Sequence, residues 1–281
     1  MSATPGIRIT ILAENTAHAR GVRGEHGLAF WIEAAGRNIL FDTGQGLVLE
    51  DNARALRIDL RSAGTIVLSH GHYDHTGGLA AVLHAARELV TVHAHPDAML
   101  PKFITGGAAP RDIGMADADR AAVLHACFIP SRQPVEVAPG IRTTGEIPRR
   151  HPGEAAAGPF VRDSEGRHPD PLADDQSLLL DTAAGTVVLL GCAHAGPINT
   201  LDHVRELTGG APIHAVIGGM HLLSAPDERI AWTVDSLRRL DAAILAPMHC
   251  TGPKAAAALW TAFPRACRSA GAGSVLDFES P

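Results

Sequence analysis

Apolar and polar residues alternate in short runs through the first part of the chain, and turn residues separate the runs. The runs IRITILAE (7–14), LAFWIEA (28–34) and NILFDTG (38–44) show the alternation and the branched or aromatic residues that are typical of strands. Gly and Asn residues lie between the runs, so the pattern predicts an opening β-meander. A helix is predicted next, over residues 46–56.

The next stretch predicts a buried strand that leads into a helix. The run TIVLSH (65–70) is almost continuously apolar, as in strands that are covered on both faces. GGLAAVLHAAREL (77–89) has helical spacing, and VTVHAH (90–95) has the character of a strand. The histidine-rich stretch SHGHYDHTGG (69–78) is therefore predicted to form the loop between a strand and a helix.

In the second half of the chain, strand patterns alternate with helical patterns. Strands in meanders followed by strands that alternate with helices favour two sheets with helices on their outer faces, so the predicted class is α+β. The predicted strands are 135–147, 177–182, 186–192, 214–219 and 242–249, and the predicted helices are 197–207, 226–240 and 253–270.

One long connection interrupts this order. Residues 148–176 are rich in Pro, Gly and charged residues, and a long connection with little structure of its own is often functional, so we predict a lid. No internal repeat or linker divides the chain, and we expect a single domain over residues 1–281 with 148–176 as an insertion.

Composition and charge narrow the function classes. The 281 residues are 46% hydrophobic, which is typical of a globular protein with a substantial core. The net charge of −6 and the absence of clustered Lys and Arg argue against a nucleic-acid partner. The opening MSATPGIRITILAENTAHARG has no leader pattern and no run is long enough to span a membrane, so we expect a cytoplasmic protein without a membrane partner. Four scattered cysteines predict reduced thiols.

The stretch SHGHYDHTGG contains four residues of the types that bind metals, in the pattern HxHxDH. On an extended segment His70 and His72 project on the same side, and Asp74 and His75 follow in the turn. Imidazole and carboxylate ligands suit zinc and other first-row ions, and few protein ligands per ion leave a position open for water. Four such residues together favour a catalytic metal site over ordinary loop histidines.

The motif HxHxDH resembles the metallo-β-lactamase superfamily, and the resemblance covers nearly the whole chain. It implies a four-layer αββα sandwich of two mixed sheets, with two divalent metal ions and Asp74 as the catalytic residue that orients a water or accepts its proton. LFDTG (40–44) looks like the first motif of the superfamily, in which an aspartate braces the metal loop. Asp42 would have that role, although a plain turn aspartate is an equal alternative.

The remaining ligands are expected at the ends of later strands. AAILAPMHCTG ends in His249, which resembles the last ligand of the superfamily, and Cys250 beside it is expected to point elsewhere as a buried thiol. VVLLGCAHAG carries Cys192 where the superfamily usually has an aspartate that bridges both metals. We predict His194 as the ligand here, and Cys192 is either a packed thiol or a ligand for a soft ion.

Together these residues predict two metal sites joined by a water or hydroxide. The first would contain His70, His72 and His194, and the second Asp74, His75 and His249.

Four further residues have weaker signals. TTGEIPR (143–149) lacks the histidine that the superfamily has in this register, which leaves Glu146 and His151 as alternative ligands. His221, at a strand end behind two glycines, is either a substrate-binding or proton-donating residue or a core histidine. Tyr73, the single tyrosine, either lines the cavity or packs in the core.

Seven motifs in order resemble one subgroup of the superfamily, the metal-dependent hydrolases named for 7,8-dihydropterin-6-methyl-4-(β-D-ribofuranosyl)aminobenzene-5′-phosphate synthase. The motifs are DTG, SHGHYDHTGG, TGEI, DDQSL, GCAHAG, GGMHL and HCTG. The resemblance implies a transferase of pterin biosynthesis with a small, phosphorylated substrate. The alternatives are a general phosphodiesterase or ester hydrolase, and a metal-containing sensor without activity. Zinc is the favoured ion, with manganese and iron as alternatives.

Overall fold

Two β-sheets lie face to face in the structure, a computed structural model that describes residues 6–154 and 158–281. The strands are β1 (Ile7–Ala13), β2 (Ala29–Ala34), β3 (Arg37–Phe41), β4 (Thr65–Val67), β5 (Thr91–Ala94), β6 (Phe103–Ile104), β7 (Arg111–Asp112), β8 (Cys127–Pro130), β9 (Glu136–Ala138), β10 (Ile141–Thr143), β11 (Phe160–Val161), β12 (Leu178–Thr182), β13 (Gly185–Leu190), β14 (Ile213–Gly219), β15 (Ile244–Met248) and β16 (Val275–Phe278).

Helices cover the outer face of each sheet. They are α1 (Leu49–Ala55), α2 (Tyr73–Thr76), α3 (Leu79–Ala85), α4 (Asp117–Val123), α5 (Pro197–Leu207), α6 (Asp227–Arg238) and α7 (Pro253–Ala262). Short 3₁₀ turns lie at Leu60–Ser62, Pro96–Met99, Pro152–Glu154 and His249–Thr251.

Both sheets are mixed. The first has the order β16-β1-β2-β3-β4-β5-β8; its antiparallel β1, β2 and β3 form the predicted meander, whereas β3, β4, β5 and β8 are parallel. The second has the order β15-β14-β13-β12-β10-β9, in which β13, β14 and β15 are parallel. Parallel neighbours end at the same edge of a sheet, which is where ligand-binding loops gather in such folds.

Three apolar clusters lie between the four layers of the fold, which are the two sheets and the helices on their outer faces. Alternate residues of β1, such as Ile9 and Ile11, face residues of the second sheet, such as Leu189 and Ile217, in a core between the sheets. A second cluster lies between the first sheet and helices α1 and α3, and a third between the second sheet and helices α5, α6 and α7. The predicted α+β class and its αββα layering are confirmed.

Several elements are shorter in the structure than the sequence predicts, for identifiable reasons. The strand predicted to residue 44 ends at Phe41, because Asp42 has a φ of +59° and turns the chain out of the sheet. The helix predicted from residue 46 begins at Leu49, since Gly44 and Gly46 have positive φ values of 64° and 79°. The strand predicted over 65–70 ends at Val67.

The connection 148–176 has more structure than the sequence predicts. Its strand β11 pairs with β6, and β6 with β7, in a separate three-stranded sheet. Residues 155–157 of this segment, and residues 1–5 of the N-terminal stretch, lie outside the described residues. The single domain stays a prediction. Within the described part of the chain, no helix combines the length and the apolar character that crossing a membrane requires.

Candidate metal centre

The loops that follow β3, β4, β13, β14 and β15 meet at one edge of the sandwich. The loops after β4, β13 and β15 carry side chains that form groups of three, and the ligand-type atoms of each group lie within 4.8 Å of one another. Asp42, Ala193, His221 and His249 in these loops have φ values between +48° and +59°. Such values cost a non-glycine residue of order 1–3 kcal/mol, and this kind of strain concentrates at functional sites.

The first group of convergent side chains consists of His70, His72 and His194, all buried. Nε2 of His70 lies 2.9 Å from Nδ1 of His72 and 3.3 Å from Nε2 of His194. The three rings meet edge to face, with centroids 4.5 to 4.9 Å apart. Three ring nitrogens from separate imidazoles thus point at one another across a space of ionic size.

Hydrogen bonds behind the first group fix which nitrogen of His70 is free. The Ser69 hydroxyl donates to Oδ2 of Asp42 at 2.6 Å, so its oxygen accepts from Nδ1 of His70 at 2.9 Å. Nε2 of His70 therefore presents a lone pair to the group. Within residues 6–154 and 158–281, Nε2 of His72 and Nδ1 of His194 are buried and have no hydrogen-bond partner.

The second group consists of Asp74, His75 and His249. Nε2 of His75 lies 3.3 Å from Nε2 of His249, and Oδ2 of Asp74 lies 3.4 Å from the His249 nitrogen and 3.8 Å from the His75 nitrogen. His26 approaches the same Asp74 oxygen at 3.2 Å from the open side. His26 was not predicted, because it lies in the polar turn GEHG before β2 rather than after the end of a strand.

The two histidines of the second group are also oriented from behind. Nδ1 of His75 donates to Oδ2 of Asp42 at 2.7 Å, and Nδ1 of His249 donates to Oδ1 of Asn15 at 3.0 Å. The His249 backbone N–H donates to Oε1 of Glu14 at 2.7 Å. Both rings therefore turn Nε2 towards the group, in the arrangement that supports metal-binding histidines.

Burial lowers the pKa values of the three histidines in the first group, whereas neighbouring charged groups control the pKa values of His75 and Asp74 in the second. Loss of hydration lowers the pKa values of His70 and His194 well below the usual range and that of His72 to about 3. Burial also lowers the pKa of His75, but the carboxylates of Asp42 and Asp74 outweigh it and raise the value to about 9. Burial opposes ionisation of Asp74, yet His75, His249 and His26 hold the pKa of that carboxyl well below its usual range.

These features fit divalent metal ions. A neutral imidazole carries one N–H, and that of His70 is engaged by Ser69, so the convergent nitrogens of the first group cannot all satisfy one another. A cation among them would satisfy all three at once. In the second group the position of His75 already favours positive charge, which a bound cation would supply.

Comparison with known proteins agrees with this chemistry. The family model described as the metallo-beta-lactamase superfamily matches residues 22–249, which include both groups. The chain belongs to the metallo-β-lactamase superfamily. The predicted resemblance is thereby confirmed, and with it the capacity of the fold to bind divalent metal.

Three similar proteins place the chain within the superfamily. It is 31% identical over 288 residues to 7,8-dihydropterin-6-methyl-4-(beta-D-ribofuranosyl)-aminobenzene-5′-phosphate synthase of Methanocaldococcus jannaschii, with 97% of each chain covered. The uncharacterized protein MJ0448 of the same organism is 33% identical over 249 residues, covering 88% of this chain and 91% of its own. The crystal structure of Tm1679, described as a metal-dependent hydrolase of the beta-lactamase superfamily, matches with a TM-score of 0.85, 28% identity and coverage of 98% and 100%.

Cys192, which stands where the superfamily usually has a bridging aspartate, lies close to both groups. Its Sγ lies 3.2 Å from Nε2 of His75, and it falls within 4.8 Å of ligand atoms from both His70 and His75. The sulfur is therefore in reach of both groups.

Cys250 does not point elsewhere, so that expectation was wrong. Its thiol lies within 4.8 Å of the ligand atoms of Cys192 and His249, and Cys250 lines the cavity that opens onto both groups. The alternation of strand residues does not apply there, because β15 ends at Met248 and His249–Thr251 form a 3₁₀ turn with a φ of +49° at His249.

The two alternative ligands from the weak-signal set lie elsewhere. Glu146 is exposed and contacts Nη1 of Arg132 at 3.3 Å. His151 contacts Oδ2 of Asp202 at 2.8 Å. Neither joins a group of ligand-type atoms among the described residues.

A cavity of about 370 Å³ opens onto both groups. Tyr73 and His221 line it, and His221 packs on the ring of His194 with centroids 4.3 Å apart. Phe160, from the predicted lid, also lines it and contacts the rings of His72 and His194. The segment 148–176 therefore contributes a wall to the cavity.

The side chains of the DDQSL motif (174–178) form hydrogen bonds with the backbone of the ligand loops. Oδ2 of Asp174 accepts from the N–H of Gly71 at 2.8 Å, and Oδ2 of Asp175 accepts from the N–H of Ala195 at 2.9 Å. The Gln176 side chain donates to the carbonyl of Leu68 at 2.8 Å. One short segment thus holds the loops of His70 and His194 in register.

Proposed function

We propose that the protein is an enzyme, a metal-dependent hydrolase or transferase with a dinuclear centre. The proposal depends on one observation. Two adjacent groups of ligand-type side chains border one cavity, and hydrogen bonds to Ser69, Asp42 and Asn15 orient their histidine rings. His70, His72 and His194 would hold one ion, and Asp74, His75 and His249 the other. Zinc suits these ligands best, and manganese and iron are the alternatives.

Two divalent ions in such a centre supply Lewis acidity towards phosphate oxygens and activate water. The chain's own residues then orient the reaction. Asp74 stays ionised because three histidines surround it, so its carboxylate can align a water or accept its proton. Asp42 is proposed to brace the centre, since it accepts hydrogen bonds from the Ser69 backbone and hydroxyl and from His75.

We further propose that Cys192 is a shared ligand, as a thiolate. Its sulfur is in reach of both groups, and the chain has no aspartate at this position. A thiolate would supply the negative charge that a bridging carboxylate otherwise provides, and it favours soft or borderline ions such as zinc.

The proposed substrate is a small phosphorylated molecule of the pterin type. The synthase of M. jannaschii, whose name specifies a dihydropterin product carrying a 5′-phosphate, supports this class. The cavity volume of about 370 Å³ is within the range of small-molecule sites. Tyr73 and His221 are proposed to contact the substrate, since both line this cavity.

Hydrolysis of phosphodiesters or esters is the second candidate reaction. It is favoured by the likeness to Tm1679, which is described as a metal-dependent hydrolase. Transfer and hydrolysis differ in the nucleophile, so a substrate panel separates them.

The deciding experiment combines metal analysis with that panel. Mass spectrometry of the zinc-loaded protein should give two ions per chain, and fewer in His70→Ala and His249→Ala, whereas His84→Ala, which removes an exposed histidine on α3, should keep both. The panel would measure pyrophosphate release from a dihydropterin diphosphate with an aminobenzene ribosyl phosphate, and cleavage of bis(para-nitrophenyl) phosphate. A fully loaded protein that turns over neither substrate would contradict the proposal.

A further inference from the structure

The cavity at the metal centre contains two arginines without ion-pair partners among the described residues. Arg111 lies on β7 and Arg229 in the first turn of α6, and both line the cavity. No carboxylate oxygen lies within 4.0 Å of either guanidinium in the part of the chain that the structure describes. The cavity wall therefore carries positive charge that the protein itself does not neutralise.

Arg229 is the unusual member of this pair, because it is buried. It is 9% exposed, and its Nε has no hydrogen-bond partner among the residues that the structure describes. Burial lowers the pKa of its guanidinium, which is the signature of a charge removed from water without full compensation. Buried charges are normally paired, so an unmatched one that borders a cavity indicates a missing anion.

Glu154 is the acidic residue that acts on Arg229, and it does not supply that anion. Glu154 acts on Arg229 through space, but its carboxylate accepts from the backbone N–H groups of Ile198 at 3.0 Å and Asn199 at 2.6 Å. Burial raises the pKa of Glu154, against the opposing backbone N–H groups of Ile198 and Asn199. Glu154 therefore caps the start of α5 and leaves Arg229 available.

The loop before Arg229 connects it to the metal centre. Leu223, Ser224 and Ala225, between β14 and α6, line the same cavity, and His221 precedes them beside His194. A ligand that reaches the metal groups can therefore also reach Arg229. A guanidinium with free N–H groups is suited to two parallel hydrogen bonds with phosphate oxygens.

We propose that Arg229, assisted by Arg111, forms an anion subsite for a phosphate or diphosphate group of the substrate. This inference rests on the proposed function in one respect, that the cavity is the substrate site. Phosphate is favoured over carboxylate because two cationic side chains match a dianion. The subsite fixes one end of the substrate while the reacting bond lies at the metal groups.

The test is titration calorimetry of the full chain with phenyl phosphate, after chelator treatment and again after zinc loading. Without metal, Arg229→Gln should weaken binding by about 10- to 100-fold, as expected for loss of a charge-assisted contact. Arg229→Lys should recover part of the affinity. Arg238→Gln, which removes the same charge from the exposed part of α6, should bind as the unaltered protein does.

Thermal stability, measured without and with phenyl phosphate, provides a second readout. Because the buried guanidinium lacks a partner, Arg229→Gln should melt at the same or a higher temperature than the unaltered protein. Phenyl phosphate should raise the melting temperature of the unaltered protein and of Arg238→Gln, but not that of Arg229→Gln.

The outcomes separate this inference from the proposed function. Unchanged phenyl phosphate affinity in a folded Arg229→Gln would contradict the proposed subsite, since the anion would then bind to the histidines of the two groups. Equal affinity for benzoate would overturn the choice of phosphate. Binding that depends on Arg229 in a chain that takes up no metal would support the subsite and contradict the metalloenzyme.

Discussion

At the scale of single residues, the proposed centre combines one contiguous loop with side chains from distant segments. His70, His72, Asp74 and His75 lie within six positions, and the structure brings their ligand atoms close to those of His194, Cys192 and His249. Cys250 was misjudged because its direction depends on a left-handed backbone at His249, which the residue types do not reveal. His26 and Arg229 come from segments distant in sequence, so only the tertiary structure places them at the cavity.

The role of Cys192 gives a prediction at this scale. Cobalt-loaded protein should show a near-ultraviolet charge-transfer band from thiolate to cobalt, and Cys192→Ser should lose most of it. Cys267→Ser removes another buried thiol, which lies in the cluster between the second sheet and its helices, and should keep the band. An unchanged spectrum in Cys192→Ser would show that this sulfur binds no metal.

At the scale of elements, the strands and helices that the sequence predicts occur in the predicted order, but α4, β8 and β16 were not predicted, and neither was the role of the DDQSL segment. Its hydrogen bonds reach the backbone of two ligand loops, at Gly71 and Leu68, which are 103 and 108 positions away, and at Ala195, which is 20 positions away. Such contacts leave no periodic pattern in a sequence. The same holds for Lys102, which is 1% exposed and contacts Asp170 at 3.1 Å and Asp174 at 2.8 Å.

Removal of the Lys102 charge should therefore be costly. Lys102→Met leaves the buried carboxylate of Asp174 without a cationic partner, while Asp170 keeps its contact with Nε of Arg162 at 3.2 Å, and should lower the free energy of unfolding by about 3–5 kcal/mol. Lys254→Met breaks an exposed pair with Asp227 and should cost less than about 1 kcal/mol. Urea unfolding of both chelator-treated variants measures the difference. Equal losses would show that the buried network contributes no more than a surface pair.

Asp175 predicts a pH dependence of stability. Burial raises its pKa from 3.8 to about 6, against the opposing N–H of Ala195, and its Oδ1 has no partner. Between about pH 4 and pH 6 the folded chain therefore holds a proton that the unfolded chain releases, so stability falls as the pH rises through this window.

Asp175→Asn removes this titration while it keeps an oxygen for the Ala195 N–H. Relative to the unaltered protein, it should gain about 2–3 kcal/mol on passing from pH 4 to pH 8. Asp235→Asn, an exposed change on α6, should show no such trend. Parallel unfolding curves for the unaltered protein and Asp175→Asn at both pH values would refute the assignment.

At the scale of the whole molecule, the proposed centre joins the two halves of the sandwich. His70, His72, Asp74 and His75 follow β4 of the first sheet, whereas His194 and His249 follow β13 and β15 of the second. The layered fold was predictable, since apolar alternation and strand order define it. The lid's added strand was not, because two residues of β11 are too few to give a pattern.

Metal that cross-links the halves should stabilise the whole chain. Binding at 1,000 times Kd contributes about 4 kcal/mol, so chelation should lower the melting temperature by on the order of 10 °C. Zinc should restore it, and a His70→Ala/His249→Ala protein should not respond. An identical melting temperature with and without chelator would contradict a centre shared by both halves.

Anomalous X-ray diffraction from crystals of the zinc-loaded chain, measured at the zinc absorption edge, would locate the ions of the proposed centre. Two anomalous peaks are expected, one bounded by His70, His72 and His194 and the other by Asp74, His75 and His249. Absence of a peak at both groups, or zinc bound only outside them, would contradict the proposed centre.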